Sequence, residues 1–296
     1  MKKLVLAVLG FAVLSFTACE KESMVKENTL PESIEDMVSL EATLDDISEA
    51  ADYEVDYFSS SDEAVLAINE SSALKSSGPR FGHRYKINQC PNVTILSEEG
   101  GFPKTITLDY GEGTELANGR VLSGKIIITI SASLKTDGAT RSVTYEEFFV
   151  DSVGLSGLVS SVLSYKPSFY RYFTITGEKI LTFPNGESVV RTIEKKREWI
   201  WGIATPLDHS DDEVNITGSV TTVCSWGDDY LREIVNPLVK KGDCKYIVQG
   251  MVEFSKNGAL IASLDYGPGT CDQLAKVTKD GVTKEIKIGK KKRRIR

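Results

Sequence analysis

Histidine is almost missing from this chain, with two in 296 residues, His83 and His209. Neither stands at His-x-x-x-His spacing or beside a Cys-x-x-Cys pair, so a zinc site of ordinary pattern is excluded. Also missing are a Gly-x-Ser-x-Gly elbow, a Walker loop and a Gly-x-Gly-x-x-Gly turn, and with them the common signatures of nucleophilic hydrolysis and nucleotide binding. Glycosidase carboxylates carry no local motif, so chemistry on sugars survives this filter. The longest apolar run, Leu4 to Phe16, has 13 residues, fewer than the roughly 20 of a membrane-spanning helix. A cationic excess is missing too. Residues 76 to 289 hold 26 acidic and 24 basic groups, which leaves no broad phosphate-binding face and excludes nucleic acid as a partner. With 41% hydrophobic residues, disorder over the whole chain is excluded as well.

What is present starts with compartment. Lys2 and Lys3 precede the short apolar run, which reads as a signal peptide over residues 1–18. Phe16-Thr17-Ala18-Cys19 resembles a bacterial lipobox, in which small residues admit the signal peptidase and the cysteine is lipidated. Phe16 departs from the usual leucine. Cys19 is therefore expected to carry acyl chains as the membrane anchor. The Cys19-Glu20-Lys21-Glu22 run also resembles the export signal of surface lipoproteins, giving an expected place on the outer membrane, facing outward.

Residues 19–80 read as a lipidated tether with a helical segment and a linker. Residues 20 to 75 carry sixteen acidic and three basic groups. Thr29-Leu30-Pro31-Glu32 forms a capping box with proline in the first turn, and Met37, Leu40, Leu44, Ile47, Ala51 and Phe58 follow a 3-4 spacing broken at Glu54. That stripe fits self-docking better than a coiled coil of three heptads. A second capping box, Ser60-Ser61-Asp62-Glu63, opens a short helix through Ile68, and Ser71 to Arg80 is a linker by composition. Because the linker separates two textures and two charge regimes, removal of residues 20 to 80 is expected to leave the remainder folded.

From residue 81 to 289 the periodicity alternates. Ile126, Ile128, Ile130 and Ala132 share one face, as do Val143, Tyr145, Glu147 and Phe149. The expected class is mainly β, an antiparallel sandwich or an extended multi-stranded sheet of about a dozen strands, with a short N-terminal helical segment. Arg191 to Trp199 has strand spacing with charge on both faces, so part of the sheet is expected to be wet on both sides. Two related units, about 85–165 and 240–289, bracket a middle insert: Cys90, Leu108-Asp109-Tyr110-Gly111 and Lys125-Ile126-Ile127-Ile128 recur as Cys244, Leu264-Asp265-Tyr266-Gly267 and Lys284-Glu285-Ile286. Residues 290–296 are a basic tail carrying six positive charges.

Several of these segments together, Gly101 to Gly111, Ser123 to Ile127, Arg197 to Ile200 with Thr205 to Asp208, and Asp265 to Asp272, resemble a family of uncharacterised outer-membrane and surface lipoproteins of Bacteroidetes. The resemblance covers most of residues 85 to 288. It implies location and β architecture, and no activity. In the family's pattern the first repeat bears a cysteine where Glu115 stands here, and Cys224 is extra.

Candidate sites are few. Trp199 and Trp201 alternate on one strand and so share a face, where indoles could stack on sugar rings; their average burial favours a core role instead. Asp208, Asp211, Asp212 and Glu213 gather four carboxylates in one loop, a weak calcium pattern because the alternating Asp-x-Asp order is absent. The expected function is therefore a lipid-anchored envelope protein acting by binding or structure rather than catalysis, most concretely by binding glycan or by adhesion. The alternatives are a glycoside-acting enzyme whose carboxylates the fold assembles, and a structural subunit that pairs through a sheet edge.

An exported compartment permits disulfides. Asn257-Gly258 is the preferred pair for a two-residue type I′ hairpin. Lys256 then faces Ala259, and an unbroken register brings Cys244 opposite Cys271, leaving Cys90 and Cys224 bonded to each other or free. The glycines around Pro268 mark a place where a bulge can shift that pairing.

Overall fold

The computed structural model describes residues 32–59, 91–97, 101–116, 119–205, 210–244 and 246–288. They form one helix, α1 (Glu32–Ser59), and fourteen strands. The first seven are β1 (Asn92–Ser97), β2 (Lys104–Asp109), β3 (Thr114–Glu115), β4 (Val121–Ile130), β5 (Thr140–Val150), β6 (Val153–Lys166) and β7 (Tyr170–Thr182). The remainder are β8 (Ser188–Trp201), β9 (Glu213–Cys224), β10 (Asp229–Lys241), β11 (Ile247–Lys256), β12 (Ala259–Pro268), β13 (Leu274–Lys279) and β14 (Val282–Lys287). Every strand pairs antiparallel with its chain neighbour in a single meander, except β3, which lies off the path beside β4. The extended sheet, not the sandwich, is the outcome. With no crossover, the chain never starts a second sheet, so the apolar face must be covered by something else.

That cover is α1. Its buried stripe, Ile34, Val38, Glu41, Leu44, Ser48, Ala51, Val55 and Phe58, repeats every three or four residues. The apolar members join one core with inward-facing residues of the strands, among them Ile126 and Ile128 of β4, Phe173 of β7, and Val252 and Phe254 of β11. Glu54, which interrupts the apolar spacing in the sequence, is buried and accepts a hydrogen bond from the Tyr110 hydroxyl at 2.7 Å. The helix therefore belongs to the core of the β region, contrary to the expectation that residues 20 to 80 are dispensable. Its burial also corrects the expectation of a sheet wet on both sides. The inward charges Arg191 and Arg197 of β8 are covered by the acidic helix, while Thr192 and Glu194 on the opposite face are exposed. The second capping box at Ser60 and the linker to Arg80 lie outside the described residues, as does Thr29.

The two repeats are strand-and-turn units on opposite flanks of the helix. In each, the aspartate accepts a hydrogen bond from the glycine amide two residues on, Asp109 from Gly111 at 2.9 Å and Asp265 from Gly267 at 2.8 Å. Both glycines take positive φ, 59° and 93°, which the aspartate-closed turn requires. Each tyrosine, Tyr110 and Tyr266, is buried. The lysine equivalence read from the sequence is displaced by one strand, because Asp109 faces Lys125 on β4 whereas Asp265 faces Lys276 on β13, and Lys284 lies a strand further out.

The Asn257-Gly258 hairpin forms as the type I′ signal requires, with φ of 52° and 75° and Lys256 paired with Ala259. The register then slips between Phe254 and Ser255 and again between Gln249 and Met251. Cys244 and Cys271 are nevertheless bonded, their Cα atoms 5.7 Å apart. They lie beyond Gln249 and Pro268, the last paired residues of this ladder. The bond thus joins the turn before β11 to the loop after β12, and it forms although the two bulges move the ladder off the unbroken register.

Candidate functional site

The face of the sheet under α1 is basic, and its rows are set by strand register. Lys179 of β7 faces Arg191 of β8, Arg191 faces Thr222 of β9, and Thr222 faces Tyr230 of β10. Three members of this row converge on Glu41: Arg191 Nη2 donates to it at 2.8 Å, Thr222 at 2.9 Å and the Tyr230 hydroxyl at 2.8 Å. Arg191 also reaches Asp45 at 2.9 Å, and Arg232 of β10 meets the other oxygen of Asp45 at 2.9 Å. Further along the helix, Lys179 pairs with Asp52 at 2.6 Å, Arg197 with Glu49 at 3.0 Å, and Arg141 of β5 with Asp56 at 2.9 Å. Acids at 41, 45, 49, 52 and 56 form a ladder of one helical period.

Burial alone would raise the Asp45 carboxyl, but Arg232 and then Arg191 hold it below the usual carboxylate range. Burial first, and then Glu41, push the Tyr230 phenol up. Lys195 of β8 behaves oppositely. Burial lowers its ammonium to about 8, against the attraction of Asp45 and Glu49 on α1 and with the repulsion of Arg232 on β10 and Arg191 on β8.

A pH dependence follows. Below about pH 8 the charged Lys195 is penalised in the folded chain only. Between pH 8 and 10.5 the folded chain loses this proton before the unfolded one, so stability is expected to rise from pH 8 to about 9. It is then expected to level off, because from pH 9 the Cys224 thiol, which burial pushes up to about 12, ionises first in the unfolded chain. Above pH 10 it is expected to fall, because Tyr266, pushed up to about 12 mainly by burial, ionises first in the unfolded chain. Urea midpoints across pH 7 to 12 check both limbs, and Lys195→Met is expected to flatten the first.

The sequence-predicted aromatic pair does not form a platform. Trp199 is 4% exposed and meets Phe173 edge-on at 5.8 Å, with the Arg171 guanidinium 4.6 Å over its ring. Trp201 is 68% exposed. The alternation fails because β8 spends two residues, Trp199 to Trp201, against one step of β9, Val214 to Glu213. That bulge re-aims the second indole. Other aromatics gather at the same end of β7 and β8: Phe169, 74% exposed, in the β6–β7 turn, then exposed Tyr170 and half-buried Tyr172 with rings 5.8 Å apart. Lys166 lies 4.3 Å over Phe169 and Lys196 4.1 Å over Tyr172, so each ring carries an ammonium.

The calcium pattern fares differently. Asp208 lies outside the described residues; Asp211 accepts a hydrogen bond from Thr205 at 2.7 Å. Among the described residues no three acidic, histidine or cysteine side chains, Asp212 and Glu213 included, converge on a point that could hold a metal. Cys224 is buried and unbonded, with burial pushing its thiol up to about 12; Cys19, Cys90, His83 and His209 lie outside the described residues. The basic row under the helix was missed in the sequence. Its trace was there in the acid ladder of α1, which shares a face with the apolar stripe, and in the inward alternation of Arg191, Ile193, Lys195 and Arg197. No family model, no curated protein and no solved structure matches this chain.

Proposed function

We propose that the chain is a lipid-anchored protein of the outer cell envelope, tethered through Cys19, that acts by binding, and that its ligand class is glycan. The observation that carries this reading is the exposed aromatic end of β7 and β8. Phe169, Tyr170 and Trp201 offer exposed flat rings, with Lys166 over one face of Phe169 and Lys196 over the half-buried Tyr172, and such rings stack on sugar faces while leaving their hydroxyls in water. A glycoside-acting enzyme would need two carboxyls facing an open cleft. The carboxylates gathered by this fold, Glu41, Asp45, Glu49, Asp52 and Asp56, are instead ion-paired beneath α1.

A glycan array with the full mature chain, followed by titration, tests the proposal. Trp201→Ala is expected to weaken the best hit about fivefold, the loss of about 1 kcal/mol of ring contact, with the melt unchanged because the indole is exposed. Absence of any hit, or a Trp201→Ala chain that binds as the parent does, would count against it. Cys19→Ser is expected to move the protein from the membrane fraction to the soluble one.

A second reading has its own observation. The β1 edge, Asn92-Val93-Thr94-Ile95-Leu96-Ser97, carries no charge and exposes Leu96, whereas the opposite edge, β14, is guarded by Lys284, Glu285 and Lys287. An unguarded edge is a template for another strand, which fits a structural subunit.

A further inference from the structure

Between α1 and the strands β5 to β9 lies a crevice of about 30 Å³. Pockets for sugars and nucleotides run to roughly 300 Å³ and more, so this one has room for a single small occupant. Its walls carry five cationic side chains, Arg141, Lys179, Arg191, Lys195 and Arg197, against three carboxylates, Glu49, Asp52 and Asp56. Those carboxylates are already engaged. Asp52 holds Lys179, Glu49 holds Arg197, and Asp56 is shared by Arg141 and Arg197. Arg191 is neutralised from Glu41 and Asp45, and Asp45 is shared in turn with Arg232. Lys195 makes no ion pair or hydrogen bond among the described residues.

Hydrogen bonding shows the same imbalance. The Nε atoms of Arg141, Arg191 and Arg197 are buried without an acceptor, each an unmet donor of the kind folded proteins avoid. A water molecule would accept from them but brings two donors of its own into a site already rich in donors. A monatomic anion accepts only. We propose that this crevice binds a halide-sized inorganic anion, held by the Lys195 ammonium and the arginine Nε donors, and that the anion completes the docking of α1 on the sheet.

This assignment inverts the usual effect of salt. Ions in general screen the helix–sheet ion pairs and weaken them, whereas a site occupied only in the folded chain stabilises it in proportion to ligand. The experiment is a series of urea melts of the mature chain at constant ionic strength, with sodium gluconate replaced stepwise by chloride and then by bromide. The expected result is a midpoint that climbs with halide and saturates. Lys195→Met is expected to melt at or above the parent in gluconate, having lost an unpaired, half-buried charge, and to show less than a third of the halide increment; Lys195→Arg retains it. Crystals of the parent grown in bromide should show anomalous density in the crevice, a readout independent of the variants. Melts identical in gluconate and halide, an increment undiminished in Lys195→Met, or a crevice holding water only in bromide would each overturn the proposal.

Discussion

A chain beginning at residue 60 is expected to be molten or insoluble, while the chain from residue 20 folds. Ile34, Val38, Leu44, Ile47, Val55 and Phe58 of α1 are all buried, and at about 1.5–3 kcal/mol each their loss amounts to about 9–18 kcal/mol, as large as the whole stability of an ordinary domain. The deletion also strips Arg141, Lys179, Arg191, Arg197 and Arg232 of their α1 partners, leaving five unpaired cations on the uncovered face. Near-UV circular dichroism and dye binding read the outcome. A peptide spanning residues 30–59, added in trans, is expected to restore the native signal and a cooperative melt. A sharp melt of the truncated chain within a few degrees of the longer one would mean that the sheet covers its own face.

Arg191→Ala is expected to cost about 3–5 kcal/mol, the range for removing one member of a buried pair and leaving the other uncompensated. The stranded group is Glu41, 1% exposed, which keeps the hydroxyls of Thr222 and Tyr230 and only a longer ion pair to Arg232 at 3.9 Å. Replacing both charges, Arg191→Leu with Glu41→Gln, is expected to cost less than Arg191→Ala alone, since no unpaired carboxylate is left buried and the amide oxygen still accepts from the Thr222 and Tyr230 hydroxyls. Asp45 remains paired through Arg232 in either case. Urea melts of the three chains measure the order. If the double variant is the worst, the pair contributes net stability rather than merely avoiding a cost.

Both predictions turn on the contact between α1 and the sheet, which the sequence disclosed only by halves. The helix was legible because its apolar spacing is local, and so was the β region, since two-residue alternation and turn pairs such as Asn257-Gly258 act over a few residues. The Asp109 and Asp265 turns were legible for the same reason, each closed by a hydrogen bond two residues on. Cys244 and Cys271 could be matched from one hairpin, though two bulges in β11 and β12 moved the ladder between them.

What stayed hidden depended on partners far apart in the chain. Whether Arg191 and Arg197 face water or protein is decided by a helix some 150 residues earlier, and alternation alone cannot tell a wet charge from one neutralised beneath a helix. Glu54 breaks a hydrophobic stripe in the sequence and completes a buried contact in the fold, because the Tyr110 hydroxyl waits opposite it. Trp199 and Trp201 part company at a bulge that no composition announces, since it arises where β8 must shift its register against β9. Side-chain period is a property of one segment, and it set the elements. Burial of charge and the aim of a side chain are properties of two surfaces meeting, so only the closed structure could decide them.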